Sequence, residues 1–288
     1  KTASNMSGNI NYASNVVLEK TSSISTSFTM NAEGVLNISG QFNNTSSAPL
    51  DIVLLSSDSI ILTSSAQLNA RFMKISAPIL TADGNLNAYG SSNPESPFMA
   101  LLGGRLAITG TLRSGSKQNK GSIQIRGDNV VDINGGNLVA ANDDLGGDIS
   151  IASNGDIDIN NATILTNGSN GRGGSLNIIA THVSVFNSTL KANGTTGGGS
   201  VFVVANSGDV NFQQSFVQTN GGAGVGGSIL ISGVNNTIIL STKMDSTGYS
   251  QGGTIKIGYD ATEQKIPFSS FTHIDSNSAL NANQLSLD

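Results

Sequence analysis

The 288-residue chain has no cysteine, no tryptophan, only 5 prolines and only 11% charged residues, against about 25% charged in an ordinary soluble domain. Without cysteine there is no disulfide and no thiolate metal site, and the chain can cross or occupy any redox compartment without mispairing. No apolar run approaches the ~18 residues of a membrane span, so membrane insertion is not expected. The net charge is −5 and the basic residues stand singly. A nucleic-acid partner, which needs a basic face, is not expected either. The chain opens Lys1-Thr2-Ala3-Ser4, with no charged or apolar leader pattern. It therefore reads as a fragment or a processed form.

What fills the space is glycine, asparagine, serine and threonine: 35 Gly, 33 Asn and 63 Ser plus Thr. The hydrophobic 37% is spread evenly, which argues against a disordered chain. It is also periodic. A glycine, a small polar residue and a β-type run recur as "GSIQI" (121), "GDISI" (147), "GSLNI" (174), "GSVFV" (199), "GSILI" (227) and "GTIKI" (253), at intervals of 26, 27, 25, 28 and 26. Each interval holds two more apolar runs, the last ending at Asn142, Asn167, Asn193, Asn220 or Thr247.

Three short alternating runs per ~26 residues, with Gly, Asn and Asp between them, read as three strands per unit. Such strands are too short to form a domain by hairpins, and no regular two-residue hairpin turns join them. The arrangement that satisfies them is a solenoid, in which each strand pairs in parallel with its counterpart ~4.8 Å away in the next coil. The expected fold is all-β, a right-handed parallel β-helix of about eleven coils of roughly 20–28 residues with three strands per coil, ~50 Å long. Thr163 and Thr189 start third strands. Asn167, Asn193 and Asn220 sit at turns, where asparagine tolerates left-handed backbone and bonds its stacked neighbours. The glycine pair lets the chain bulge out and re-enter without a Cβ clash. A many-stranded antiparallel sandwich explains none of this period.

The chain reads as one β-helix, 1–288. Residues 1–120 form tighter, less regular coils, with first strands expected at "NINYA", "FTMNA", "LDIVLL", "FMKIS" and "FMALL". Residues 121–258 are the regular coils with Gly-Gly loops, and 259–288 are an irregular excursion and a last coil.

Signs of chemistry are few. His182 opens a second strand, and His273 is expected outside the regular array. They lie far apart in register, which excludes a shared zinc or a histidine relay. No G-x-S-x-G, HExxH or phosphate-loop motif occurs. The densest acidic group is Asp128, Asp132, Asp143, Asp144, Asp148, Asp156 and Asp158. Asp156 and Asp158 alternate with Ile157 and Ile159, so both face outward. Asp132 stacks near them one coil earlier, which is the kind of spacing glycoside hydrolysis needs. Against that stand the lack of aromatic residues beside them and the absence of polygalacturonase-type NTD, GHG and RIK motifs. "ANDDLGGDIS" lacks the spacing of a calcium loop. Neither a metal nor any other cofactor is expected. N-x-[ST] occurs at Asn5, Asn37, Asn43, Asn44, Asn161, Asn167, Asn187, Asn193 and Asn235, a number close to chance for this composition. All but Asn5 are candidate glycosylation sites.

The phrases "GGDISIASNGDIDINNATILTNG" and "GGSLNIIATHVSVFNSTLKANG" resemble coils of the two-partner-secretion exoproteins, such as filamentous haemagglutinin and the high-molecular-weight adhesins. The resemblance covers at least 121–258 and rests on repeat grammar. It implies a secreted or surface-tethered bacterial rod that binds a host cell-surface glycan or glycoprotein, exported by an outer-membrane partner. One branch of that family is glycosylated at N-x-[ST], which makes the sequons worth testing. The NPNG-type motif of that family's N-terminal secretion domain is missing, so the chain resembles a segment downstream of it. A weaker resemblance, "GGSL", "GGSV", "GGSI" and "GGTI" to GGA[ILV] and "FTMN" to FxxN, is to the chlamydial polymorphic outer-membrane proteins.

The expectation is a non-catalytic adhesin segment that binds through outward side chains of one sheet and the glycine loops. The least repetitive projection is "GSSNPESPF" (90–98), and function concentrates in loops on rigid scaffolds. Its candidate ligand-binding residues are Tyr89, Asn93, Glu95 and Phe98. Two alternatives stay open: a polysaccharide lyase or hydrolase, and a passive stalk.

Overall fold

The computed structural model describes residues 2–6, 8–46, 48–89, 96–116, 119–141, 144–258, 269–282 and 284–287, with side chains described between 8 and 282. Among them there is no helix. All pairings between named strands are parallel, which makes the molecule a β-solenoid of three-faced coils. The third face is a sheet of 11 strands. The stacked coils make about nine turns, slightly fewer than the eleven expected.

The core follows from the pleat. Alternate residues of each strand point inward, and parallel register stacks like on like. On the third face one column runs Phe42, Leu68, Leu86, Leu112, Leu138, Ile164, Leu190, Val217 and Met244, each buried and each paired with the next. On the first face Ile123, Ile149, Leu176, Val201, Ile229 and Ile255 do the same. Each such side chain contributes roughly 1.5–3 kcal/mol by leaving water.

Polar ladders hold the corners. Asn193 N donates to Asn167 Oδ1 at 2.8 Å, Asn220 N to Asn193 Oδ1 at 2.8 Å and Thr247 N to Asn220 Oδ1 at 2.9 Å. The expected asparagine stack is therefore present. Its backbone is not left-handed, however. That role falls to a different column, Gly135, Asn161, Asn187, Gln214 and Ser241, with φ of 75°, 52°, 45°, 51° and 49°. One such residue per coil turns the chain sharply between the second and third faces. Beside it runs a buried hydroxyl ladder. Ala162 N donates to Ser188 Oγ at 3.1 Å, Ser188 N to Ser215 Oγ at 3.2 Å and Ser215 N to Thr242 Oγ1 at 3.3 Å.

The glycine loops stack as well. Gly168, Gly194, Gly221 and Gly248 form parallel bridges from coil to coil, as do Arg172, Gly197, Val225 and Gln251. A Cβ on Gly174, Gly199, Gly227 or Gly253 would fall on a carbonyl oxygen of the preceding coil, that of Gly147, Gly174, Gly199 or Gly227. Close approach of successive backbones is what requires glycine here.

Two expectations are corrected. "NINYA" is not a first strand: Ile10–Tyr12 pairs with Leu36–Ile38 on the second face, and the first strand of that coil is Thr2–Met6, paired with 28–32. The alternation of Ile10 and Tyr12 matches that of Leu36 and Ile38, so the phrase belongs one face later. His273 also lies inside the array, in Phe271–Ile274, paired with Asn236–Ile239. The chain rejoins the second face there despite the altered spacing before it.

Candidate functional site

The strands of the third face turn their first and third residues outward. In three successive coils these are Gln41 and Asn43, Gln67 and Asn69, then Asn85 and Asn87, six amides in a flat array over the buried Phe42, Leu68 and Leu86. Asn69 Nδ2 donates to Asn43 Oδ1 at 3.0 Å, and Asn87 Nδ2 to Asn69 Oδ1 at 3.4 Å. Beside the array is an open cavity of about 250 Å³, lined by Asn44, Ser46, Pro49, Asn69, Asn87 and Tyr89. The Tyr89 backbone N–H donates to Ala70 O at 2.7 Å, which ties the residue to the preceding coil, and the residue is 49% exposed.

The far wall is braced by a residue the sequence reading missed. Lys20 is 6% exposed, and its Nζ donates to Ser22 O at 2.6 Å, Ser46 Oγ at 2.6 Å and Ala48 O at 3.2 Å. Asn44 Nδ2 donates to the same Ala48 O at 2.9 Å. A buried ammonium is stable only when its protons have acceptors, and here three oxygens supply them. The only sequence signal was one lysine at the end of a strand.

Of the four residues expected at the projecting loop, Asn93 and Glu95 lie outside the described residues. Tyr89 lines the cavity. Phe98 does not; it pairs with Phe72 on the first face, the two rings stacked at 5.6 Å and 18°.

The acidic residues divide. Asp132 and Asp158 are neighbours in register, with Asp156 beside them on the same outward face. Burial, then the charges of Asp132 and Asp156, push the Asp158 carboxyl above its ordinary value. His182 Nδ1 lies 3.0 Å from Asp156 Oδ1, a contact made by the one-coil register. Asp132 and Asp158 line a depression of about 470 Å³ with Arg105, Ile79 and Val130, and no aromatic ring lines it. Asp148 pairs with Lys120 at 3.1 Å, and Asp144 accepts from Asn170 Nδ2 at 3.4 Å. Asp143 lies outside the described residues. Among the described residues no three His, Asp or Glu side chains come together to hold a metal ion.

The sequons differ in accessibility. Asn161, Asn187 and Asn235 are exposed, and Asn187 Nδ2 donates to Asn161 Oδ1 at 2.8 Å. Asn167 and Asn193 are half-buried rather than turn-exposed; Asn193 Nδ2 is engaged by Gln218 Oε1 at 2.8 Å. Asn37, Asn43 and Asn44 are half-buried too. The side chain of Asn5 is not described.

No protein-family profile and no curated protein matches the chain. A solved structure does: the HMW1 secretion domain from Haemophilus influenzae, with a TM-score of 0.54, covering 92% of this chain and 89% of that one at 13% identity. The chain has the fold of that domain. HMW1 is a two-partner-secretion exoprotein, so this neighbour comes from the family that the repeats resemble. The matched part of HMW1 is its secretion domain, whereas the missing motif suggested a segment downstream of one. No helix among the described residues is long and apolar enough to cross a membrane.

Proposed function

We propose that the chain is part of a secreted or surface-exposed bacterial exoprotein of the two-partner-secretion type. It is a non-catalytic adhesin segment that binds a host cell-surface glycan or glycoprotein and is exported by an outer-membrane partner. The observation that carries this reading is the amide array with Tyr89 at its edge. Carboxamides both donate to and accept from sugar hydroxyls, and a half-exposed phenol ring offers a flat surface to the C–H face of a pyranose. The scaffold beneath is rigid, so little ordering is lost on binding.

The test is binding of the purified chain to a glycan array and to host cells, beside Tyr89→Ala and Asn87→Ala. Saturable binding that falls at least ten-fold in both variants is the expected result. A folded chain that binds nothing would favour a stalk, and cleavage of an arrayed polysaccharide would favour an enzyme using Asp132 and Asp158.

A second reading is favoured by the near end-to-end likeness to a secretion domain. In it, this segment is itself what the export partner recognises. Retention of a reporter inside cells when the segment is deleted would support it.

A further inference from the structure

A larger depression, about 580 Å³, lies at the bend between the first and second faces. Three successive strands run through that bend unbroken: Phe72–Ala82, Phe98–Ile108 and Ser122–Asn134. In the first two the corner is made by Ala77-Pro78 and Gly103-Gly104, which have little or no side chain to project. The third strand carries an extra residue. Its register runs Gly103 with Gly127 and then Arg105 with Val130, so Asp128 and Asn129 stand opposite Gly104 alone. The outcome is a notch, a bare shelf in two coils beneath an overhang in the next. The shelf cannot take a side chain cheaply, because a Cβ on Gly104 would come within 2.8 Å of Pro78 O and 3.7 Å of Asn129 Nδ2. Irregular register of this kind is a device by which sheets re-aim side chains at functional sites.

Gln124, Arg126, Asp128 and Asn129 line this notch. Among the described residues, none of these four side chains has a hydrogen-bond or ion-pair partner. Several such groups elsewhere on the surface are engaged by a neighbouring coil: Asn193 by Gln218, Lys120 by Asp148, and Arg71 by Asp51 at 2.9 Å. In the notch, one guanidinium, one carboxylate and two carboxamides are left facing a shared space with no net charge.

We propose that this corner notch is a binding site for a neutral hexose, such as a terminal sugar of a host glycan. The carboxylate of Asp128 accepts from a pair of adjacent hydroxyls. The Arg126 guanidinium donates to ring or hydroxyl oxygens, and Gln124 and Asn129 do either. Pro78 and Leu102 supply apolar contact, and the volume falls within the roughly 300–1,000 Å³ of small-ligand sites. The opposite charges of Arg126 and Asp128 cancel in the notch, so neither an anionic nor a cationic sugar gains net attraction, and neutrality is part of the proposal. The source of the sugar rests on the adhesin reading; the site itself is separate from the Tyr89 cavity.

The test is saturation-transfer NMR and calorimetry on the whole chain, with the methyl glycosides of galactose, glucose, mannose and fucose and with N-acetylneuraminic acid as probes. Asp128→Ala, Arg126→Ala and Tyr89→Ala serve as variants, each checked for an unchanged β-type circular dichroism spectrum. The expected result is saturable binding of at least one neutral glycoside, weakened at least ten-fold by Asp128→Ala and by Arg126→Ala and unchanged by Tyr89→Ala. Binding that survives both notch variants, binding of the acidic sugar alone, or no binding of any probe would overturn the notch as a sugar site. The glycan-array result with Tyr89→Ala judges the adhesin reading separately, so the two can fail independently.

Discussion

Residues 144–258 and the described residues of 8–116 build the same three-faced coil by different means. In the later coils each corner position repeats one solution: an asparagine that caps the next backbone, a buried hydroxyl, a left-handed residue, a glycine that lets backbones touch. Outward polar groups there are largely spent on neighbours. In the earlier coils the solutions are individual. Phe42 packs between Tyr12 and Phe28, with ring centroids 4.7 and 5.1 Å away. Arg71 clamps Asp51, and Lys20 fastens a turn from inside. The coil step also varies: Leu68 to Leu86 on the third face spans 18 residues, where Leu86 to Leu112 spans 26. Repetition makes a uniform surface, and irregularity leaves cavities and uncommitted side chains. Both candidate sites lie in the irregular coils or, like the notch at 77–129, where the two regimes meet.

If the early coils hang on single residues, removing Phe42 should hurt most. Phe42→Ala should cost about 3–5 kcal/mol, read as a fall in the urea midpoint at constant slope; a loss below about 1 kcal/mol would mean the aromatic cluster is dispensable. The regular coils should be most sensitive at backbone contacts. Gly199→Ala, whose methyl meets Gly174 O, should cost about 1–3 kcal/mol or more. Gly135→Asn, which copies the residue type of Asn161 and Asn187 in the same left-handed column, should stay within about 0.5 kcal/mol. Equal effects would break the distinction between close approach and backbone angle. Ser215→Ala removes the buried acceptor of Ser188 N and should cost about 1–3 kcal/mol in thermal or chemical unfolding.

The smallest expected effect concerns pH. The Asp158 carboxyl is raised in the folded chain, by burial first and by Asp132 and Asp156 next. Its ionised form therefore opposes folding at neutral pH, and protonation on acidification relieves that opposition. Asp158→Asn should raise the melting temperature slightly at pH 7, and the gain should vanish as pH falls through the raised value. A gain independent of pH would contradict the assignment.

The architecture was legible because inward residues alternate and the alternation recurs, so the repeat of Ile149, Leu176 and Val201 could be read along the chain. The asparagine stack was legible for the same reason. The left-handed column was not, because Asn161, Asn187, Gln214 and Ser241 share a backbone angle and no common side chain. The first coil was misplaced because Ile10–Tyr12 is too short to announce its face. Tyr89 stood out as an aromatic beside a break in the pattern. Lys20 and the notch did not, since the notch exists only through a register step across three coils. Such information is non-local and no single phrase carries it.

The most direct test of the account sets the two regions against each other on one glycan array. One chain carries Tyr89→Ala with Asp128→Ala; another carries Arg172→Ala with Tyr249→Ala, which strips the glycine ridge of a cation and of a tyrosine that is 91% exposed. The first chain should lose the wild-type signal and the second should keep it. Binding that survives in the first, or disappears in the second, would place recognition on the repetitive coils and contradict that expectation.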